Sequence, residues 1–298
     1  ALGILPCFFT RPPNMRSQVD QPHLPLGFDD STTSCSEILY GDGSPEQILS
    51  AVHSIRKAYE AGVFGDRDHE VYPNIDRRSV WWRCYFTLPC AINYQRKSEG
   101  LWLAALRTYE DCDTRFVFDC ASAAADFSKT KEALSVYRLA AFPERQSNIW
   151  FTIASTLAER FDGDPELLIE NHDSSVASVK SFVSSNKKLF PYISGPKLLN
   201  YWLYIYATFV PDHGLLGRED ISVIPDVHVK RASVVLGVVT SGESSNTELV
   251  ADCWRRVLEG SGIAPCDIHA PLWRWSRSGF PHPDELMATL ERSRTSGD

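Results

Sequence analysis

Residues 193–209 read ISGPKLLNYWLYIYATF. A turn of small residues, Ser194 and Gly195, leads into Pro196, whose fixed φ suits the first position of a helix. The run beyond it is apolar for several helical turns and is broken near its start by Lys197 and Asn200. A segment of this kind is a core helix, so its reading sets the fold class as mainly α. The amine at its head needs an account. A lysine in the first turn of a buried helix can lay its methylenes along apolar neighbours and carry its charge out to water. It can equally stand beside an anion held by the open N–H groups of the helix N-terminus.

Working outward, the same helical spacing recurs. In SPEQILSAVHSIRKAYEAG, Ser44 is placed to cap, Pro45 to open the helix and Gly62 to stop it, with Ile48, Val52, Ile55 and Tyr59 on one face. Further helices are predicted over 79–95 with a bend at Pro89, then over 98–109, 130–141, 146–161, 173–189, 195–209, 227–239, 246–259, 266–277 and 283–293. RFVFD, Arg115 to Asp119, carries the best strand signal; SVVLGVV also looks strand-like, but it follows a capped turn and reads as helix. Residues 1–44 show no clean periodicity and read as an extended arm ahead of a helical domain over 45–298, with no internal repeat.

Composition narrows the classes. The 298 residues are 43% hydrophobic and 11% aromatic, enough for one large core or two smaller lobes. No segment approaches the roughly 18 apolar residues of a membrane span. ALGILPCFF is too short and lacks the basic flank of a signal peptide, so an intracellular, cytoplasmic monomer is expected. The 8 cysteines form no CxxC pair, which favours buried reduced thiols over disulfides and gives no metal site. A net charge of -8 argues against a protein that coats nucleic acid by bulk charge, but Lys187 with Lys188, Lys230 with Arg231, Arg255 with Arg256 and Arg274 with Arg277 allow a local basic face.

A second segment completes a possible chemistry. In SVIPDVHVKRASVVLGVV, Asp226 stands where the next helix begins and can serve as its N-cap. A carboxylate and an amine, each at a helix start, can also face one cleft. An amine that attacks the anomeric carbon of a sugar and a carboxylate that stabilises the developing positive charge together make a base-removing N-glycosylase and lyase.

At these residues the chain resembles the helix-hairpin-helix DNA glycosylase superfamily: SGPKLLNYWLY followed by IPDVHVKRASVVLGVV is similar to its hairpin, lysine and V-D-x-H-like turn. The nearer resemblance is to the archaeal 8-oxoguanine DNA glycosylase family. Its K-x-L-N-Y core appears as KLLNY, its S-Y-R segment as INYQR with the tryptophan of SEGLW, and its late I-P-P…L-W as IAPCDIHAPLW, over roughly 79–278. The resemblance implies two helical lobes flanking a base-binding cleft, with the hairpin and catalytic region at about 190–240. It makes Lys197 the Schiff-base nucleophile and Asp226 the carboxylate that activates it. Tyr201 and Trp273 become the two faces that grip an extruded base, and Trp102 part of the same pocket. Gly195, Lys230 and Arg231 become contacts to the DNA backbone. The partner implied is DNA carrying a modified base, engaged at the nucleoid, and no cofactor is required.

Three departures bear on the substrate. The family's carboxylate four residues before the late tryptophan is His269 here, so an acceptor for two donors is replaced by a group that donates or accepts. The connection VPDHGLLGRED is more polar and carries glycines, and the valine usual before the aspartate is Pro225, which stiffens that turn. Both an oxidised purine such as 8-oxoguanine and a hypermodified pyrimidine such as glucosylated 5-hydroxymethylcytosine of phage DNA, the latter implying a defence role, are compatible. An N-glycosidase acting on a modified nucleoside or tRNA base, and a non-catalytic DNA-binding module of the same fold, stay open as well.

Overall fold

The computed structural model describes residues 43–65 and 70–295, with side chains as far as residue 289. All but the last two residues of the arm expected over 1–44 lie outside them. Among the described residues there is no β-sheet, and the one isolated bridge joins Ser175 to Leu216.

The first helix, α1 (Pro45–Glu60), begins as its sequence dictates: the Ser44 hydroxyl accepts from the Gln47 amide at 3.3 Å, and Gly62, at φ 75°, follows its end. Next come α2 (Val80–Tyr85), α3 (Ser98–Glu110), α4 (Cys120–Ala125), α5 (Phe127–Val136), α6 (Pro143–Arg160), α7 (Pro165–Glu170), α8 (Val176–Ser185) and α9 (Pro196–Phe209). The chain closes with α10 (Val227–Val235), α11 (Thr247–Leu258), α12 (His269–Arg277) and α13 (Pro283–Thr295).

Two expectations are corrected. RFVFD is not a strand but a turn of 3-10 helix, Arg115–Phe118. Val117 and Phe118 are both wholly buried, so the segment lacks the alternating faces of a half-buried strand, and Asp119 is spent capping α4 through the Ser122 amide at 2.7 Å. The helix expected over 79–95 stops at Tyr85, and Pro89, which has no N–H to donate, opens a separate 3-10 turn. The strand-like SVVLGVV is helical as far as Val235, with Gly237 at φ 73° just beyond the helix.

Helices α2 to α9 share one hydrophobic cluster, and a second is built from α1 together with α10 to α13. Six tryptophans are essentially buried, and each satisfies its indole N–H, as burial requires. Trp202 donates to Thr87 Oγ1 at 3.1 Å and Trp82 to the Phe209 carbonyl at 2.9 Å, tying α9 to α2 and the residues after it. In the second cluster Trp254 donates to Ser233 Oγ at 2.8 Å, joining α11 to α10. Cys84, Cys90, Cys120 and Cys266 are buried and free, as read from the sequence, whereas Cys112 is exposed. The Cys84 and Cys120 sulfurs lie 3.6 Å apart, and this contact, with burial, raises the Cys84 pKa well above the usual thiol range.

The chain crosses from the first cluster to the second between Val210 and Asp226. Arg218 pins this crossing: its Nε and Nη2 donate to Asp267 Oδ1 at 3.0 and 2.7 Å, and its Nη1 donates to the Ala207 carbonyl at 3.3 Å. The crossing leaves α9 at Phe209 and delivers Asp226 to the start of α10.

Candidate active site

Gly195 caps α9 with an ordinary extended backbone, φ -75°. Its small size matters for another reason, since a Cβ there would meet the Tyr192 carbonyl oxygen at 3.2 Å. The strained residue of the turn is Tyr192, at φ 64°. The N–H groups of Ser194 and Gly195 are not open, as the sequence suggested; they donate to the Phe190 and Tyr192 carbonyls at 3.1 and 3.0 Å. The amides without such bonds among the described residues are those of Lys197 and Leu198, in the first turn itself.

Lys197 is exposed, and among the described residues its amine makes no hydrogen bond or ion pair. Asp226 caps α10: its Oδ1 accepts from the amides of His228 and Val229, both at 2.9 Å. Its Oδ2 has no hydrogen bond among the described residues. The capping role and a role toward a ligand are therefore divided between the two oxygens. Both residues line a cleft of about 830 Å³ with Lys230, Arg231, Ser241, Ser244, Ser245 and Thr247. Three cations against one carboxylate make this cleft locally basic in an acidic chain. Lys230 also donates to the Ser245 carbonyl at 3.1 Å, and the Arg231 guanidinium lies over the Phe280 ring at 5.7 Å. A second cavity of about 460 Å³, between α8, α9 and α11, has Lys197 on its wall as well.

Asn200, the N of KLLNY, fixes the relation of the two helix starts. Its Oδ1 accepts from the Ser222 amide at 2.9 Å and its Nδ2 donates to the Pro196 carbonyl at 2.7 Å. Replacing Asn200 by alanine is expected to cost about 1–2 kcal/mol of stability. Thermal melts check this.

His269 stands at the start of α12 and lines neither cavity; burial is the main cause of its lowered pKa. Tyr201, Trp273 and Trp102 line neither cavity. Trp102 is wholly buried, and its Nε1 donates to the Tyr201 hydroxyl at 3.1 Å and so holds that ring in place. Burial keeps the Tyr201 phenol protonated. Trp273 has the Arg277 guanidinium 4.7 Å from its ring centroid, that of Arg274 at 5.7 Å, and the His228 ring edge-on at 5.4 Å. Arg277 also reaches Glu99 of α3 at 3.8 Å, linking the helices that carry Trp273 and Trp102.

His228 and Arg277 were not singled out from sequence as site residues. The DxH spacing was the available signal for His228, which joins Asp226 to Trp273 through α10; its Nδ1 lies 3.2 Å from Ser276 Oγ. Burial is the main cause of its lowered pKa. No protein-family model matches the chain, and no curated protein is similar to it. No helix among the described residues is long and apolar enough to cross a membrane.

Proposed function

We propose that the chain is a DNA N-glycosylase with lyase activity, of helix-hairpin-helix type, which extrudes and excises a modified base. The observation that carries this reading is the Lys197 amine, unpaired among the described residues, sharing a basic cleft with an aspartate that has one oxygen uncommitted among them. The mainly α-helical architecture, with α8 and α9 consecutive and packed together and two separate hydrophobic clusters, supports the fold assignment.

The chemistry follows from the residues. After giving up a proton, the Lys197 amine attacks C1′ of the extruded nucleotide as the N-glycosidic bond breaks and its electron pair leaves with the base, which takes up a proton. Asp226 Oδ2 stabilises the positive charge that develops on the sugar, and the attacking nitrogen then loses a proton. Ring opening gives an imine between Lys197 and C1′, from which β-elimination expels the 3′ phosphate. Oxidised purines and hypermodified pyrimidines are the two candidate base classes. Extrusion costs a few kcal/mol, which contacts to the base in the bound state must offset.

Borohydride trapping tests the reading. Oligonucleotides carrying 8-oxoguanine, uracil, glucosylated 5-hydroxymethylcytosine or an abasic site are incubated with the protein and reduced. A covalent adduct at the abasic site and at one modified base is expected; no adduct at the abasic site overturns the lyase assignment. A second expectation concerns affinity. Replacing Lys230 and Arg231 by glutamine should weaken binding about equally for all sequences and reduce the slope of log affinity against log salt by about 1 for each phosphate no longer neutralised. Salt titrations of binding to duplex DNA measure that slope.

A further inference from the structure

Three turns distant in sequence meet at the edge of the first hydrophobic cluster, and each brings an aromatic ring. Tyr94 follows the 3-10 turn after α2, Phe142 precedes α6, and Tyr192 lies between α8 and α9. Their rings are close to parallel. Tyr94 stacks on Tyr192 with centroids 4.7 Å apart and planes at 16°, and lies at 6° to Phe142 with centroids 6.4 Å apart. Tyr94 packs against the cluster, but Tyr192 and Phe142 stay 43% and 41% exposed, so two large rings of the column are open to solvent.

The same turns carry cations. Arg145 spans the two exposed rings: its guanidinium lies 5.9 Å from the Phe142 centroid, and its Nη1 donates to the Tyr192 hydroxyl at 3.2 Å. Arg96 ties the first turn to the second, its Nη1 donating to the Leu139 carbonyl at 2.7 Å and to that of Arg138, whose own side chain is exposed, at 3.4 Å. None of these three guanidinium groups has an ion pair among the described residues. Glu144, next to Arg145, is paired with Lys131 instead.

The backbone of these turns is held where side chains are disfavoured. Among the described residues, those at positive φ other than glycine, aspartate and serine are Gln95 at 53°, Arg138 at 57°, Tyr192 at 64° and Phe280 at 58°. The first three belong to the three turns. Glycine would relieve this strain, and strained residues gather at ligand clamps. A tyrosine at 192 therefore costs stability while leaving its ring nearly half open to water.

We propose that this column is a binding platform for unpaired bases of a single-stranded nucleic acid: a base continues the stack of rings, and Arg138 and Arg145 meet the phosphates flanking it. An open aromatic face accepts any base, and uncompensated guanidinium groups suit a phosphate chain, so rings and charges point to one partner. Binding is tolerant of sequence, because every base has a π-face. Duplex DNA has its faces already stacked, so the platform favours single strands. It requires no chemistry at Lys197 and stands or falls apart from the glycosylase reading.

The test uses the full chain and a short DNA strand carrying 2-aminopurine, whose fluorescence falls when an aromatic ring stacks on it. Wild type should bind the strand and quench the probe. Tyr192→Gly removes the ring and supplies the residue that this backbone favours, so the fold is kept. It should weaken strand binding roughly fivefold to a hundredfold and abolish the quenching, with binding of the same sequence as a duplex within a few-fold of wild type. Tyr192→Trp keeps a ring and should bind the strand within a few-fold of wild type. Arg138→Gln with Arg145→Gln should reduce the slope of log affinity against log salt by about 0.7 for each phosphate no longer neutralised.

An unquenched probe with wild type, or a Tyr192→Gly chain that binds and quenches as wild type does, overturns the proposal. So does an equal loss on strand and duplex. Displacement of the strand by a proline-rich peptide at matched concentration gives the rings to a peptide and overturns it as well. Each of these results leaves trapping at an abasic site untouched, and failure of trapping leaves the platform untouched.

Discussion

Replacing Lys197 by glutamine should abolish base release and borohydride trapping together, by on the order of a thousandfold or more, because the bond to C1′ is then never made. The melting temperature should hardly move. Lys197 is exposed and makes no hydrogen bond or ion pair among the described residues, so its loss is a surface change worth within about 0.5 kcal/mol. Trapping assays and thermal melts on one preparation decide the matter. Wild-type nicking at a preformed abasic site by the variant would show that the amine is not the nucleophile.

Asp226→Asn should lower base release by roughly a hundredfold to a thousandfold with little loss of stability. The amide oxygen of asparagine caps a helix about as well as a carboxylate does, so the bonds to the His228 and Val229 amides survive while the negative charge toward the cleft is lost. Asp226→Ala removes both functions and should cost a further ~1 kcal/mol of stability. Comparing the two variants in melts and single-turnover assays separates the structural from the chemical use of this side chain. Equal activity of Asp226→Asn and wild type would leave Asp226 as a cap alone.

The residues that sequence exposed best are those fixed by local rules. Pro196 at a helix start, Asp226 before a helix, and Lys230 and Arg231 one turn later all follow from capping and the helical repeat, and the structure sets Lys197, Asp226, Lys230 and Arg231 around one cleft. Contacts that depend on distant elements meeting were not legible. Nothing in the sequence says that Glu99 and Arg277 face one another, or that Arg277 lies on Trp273. Trp102 shows a related limit, since a tryptophan on the apolar face of a helix reads the same whether it walls a pocket or supports one from behind. In RFVFD the apolar residues are too few to distinguish a strand from one turn of 3-10 helix. The short α4 and α7 were missed for lack of length, although Asp119 and Asp164 cap them plainly.

The second cluster draws α1 from early in the chain and α10 to α13 from its end, with every helix of the first cluster made in between. During synthesis α1 leaves the ribosome with its apolar stripe of Ile48, Val52, Ile55 and Ala58 and nothing to cover it. The first cluster can condense meanwhile from neighbouring helices, and Lys197 then stands on a finished α9 with no carboxylate opposite. Only when α12 and α13 arrive to cover α1 does the second half close. On the reading proposed above, the order of manufacture puts the amine in place first, and the rest of the cleft lining, from Pro225 to Thr247, follows it.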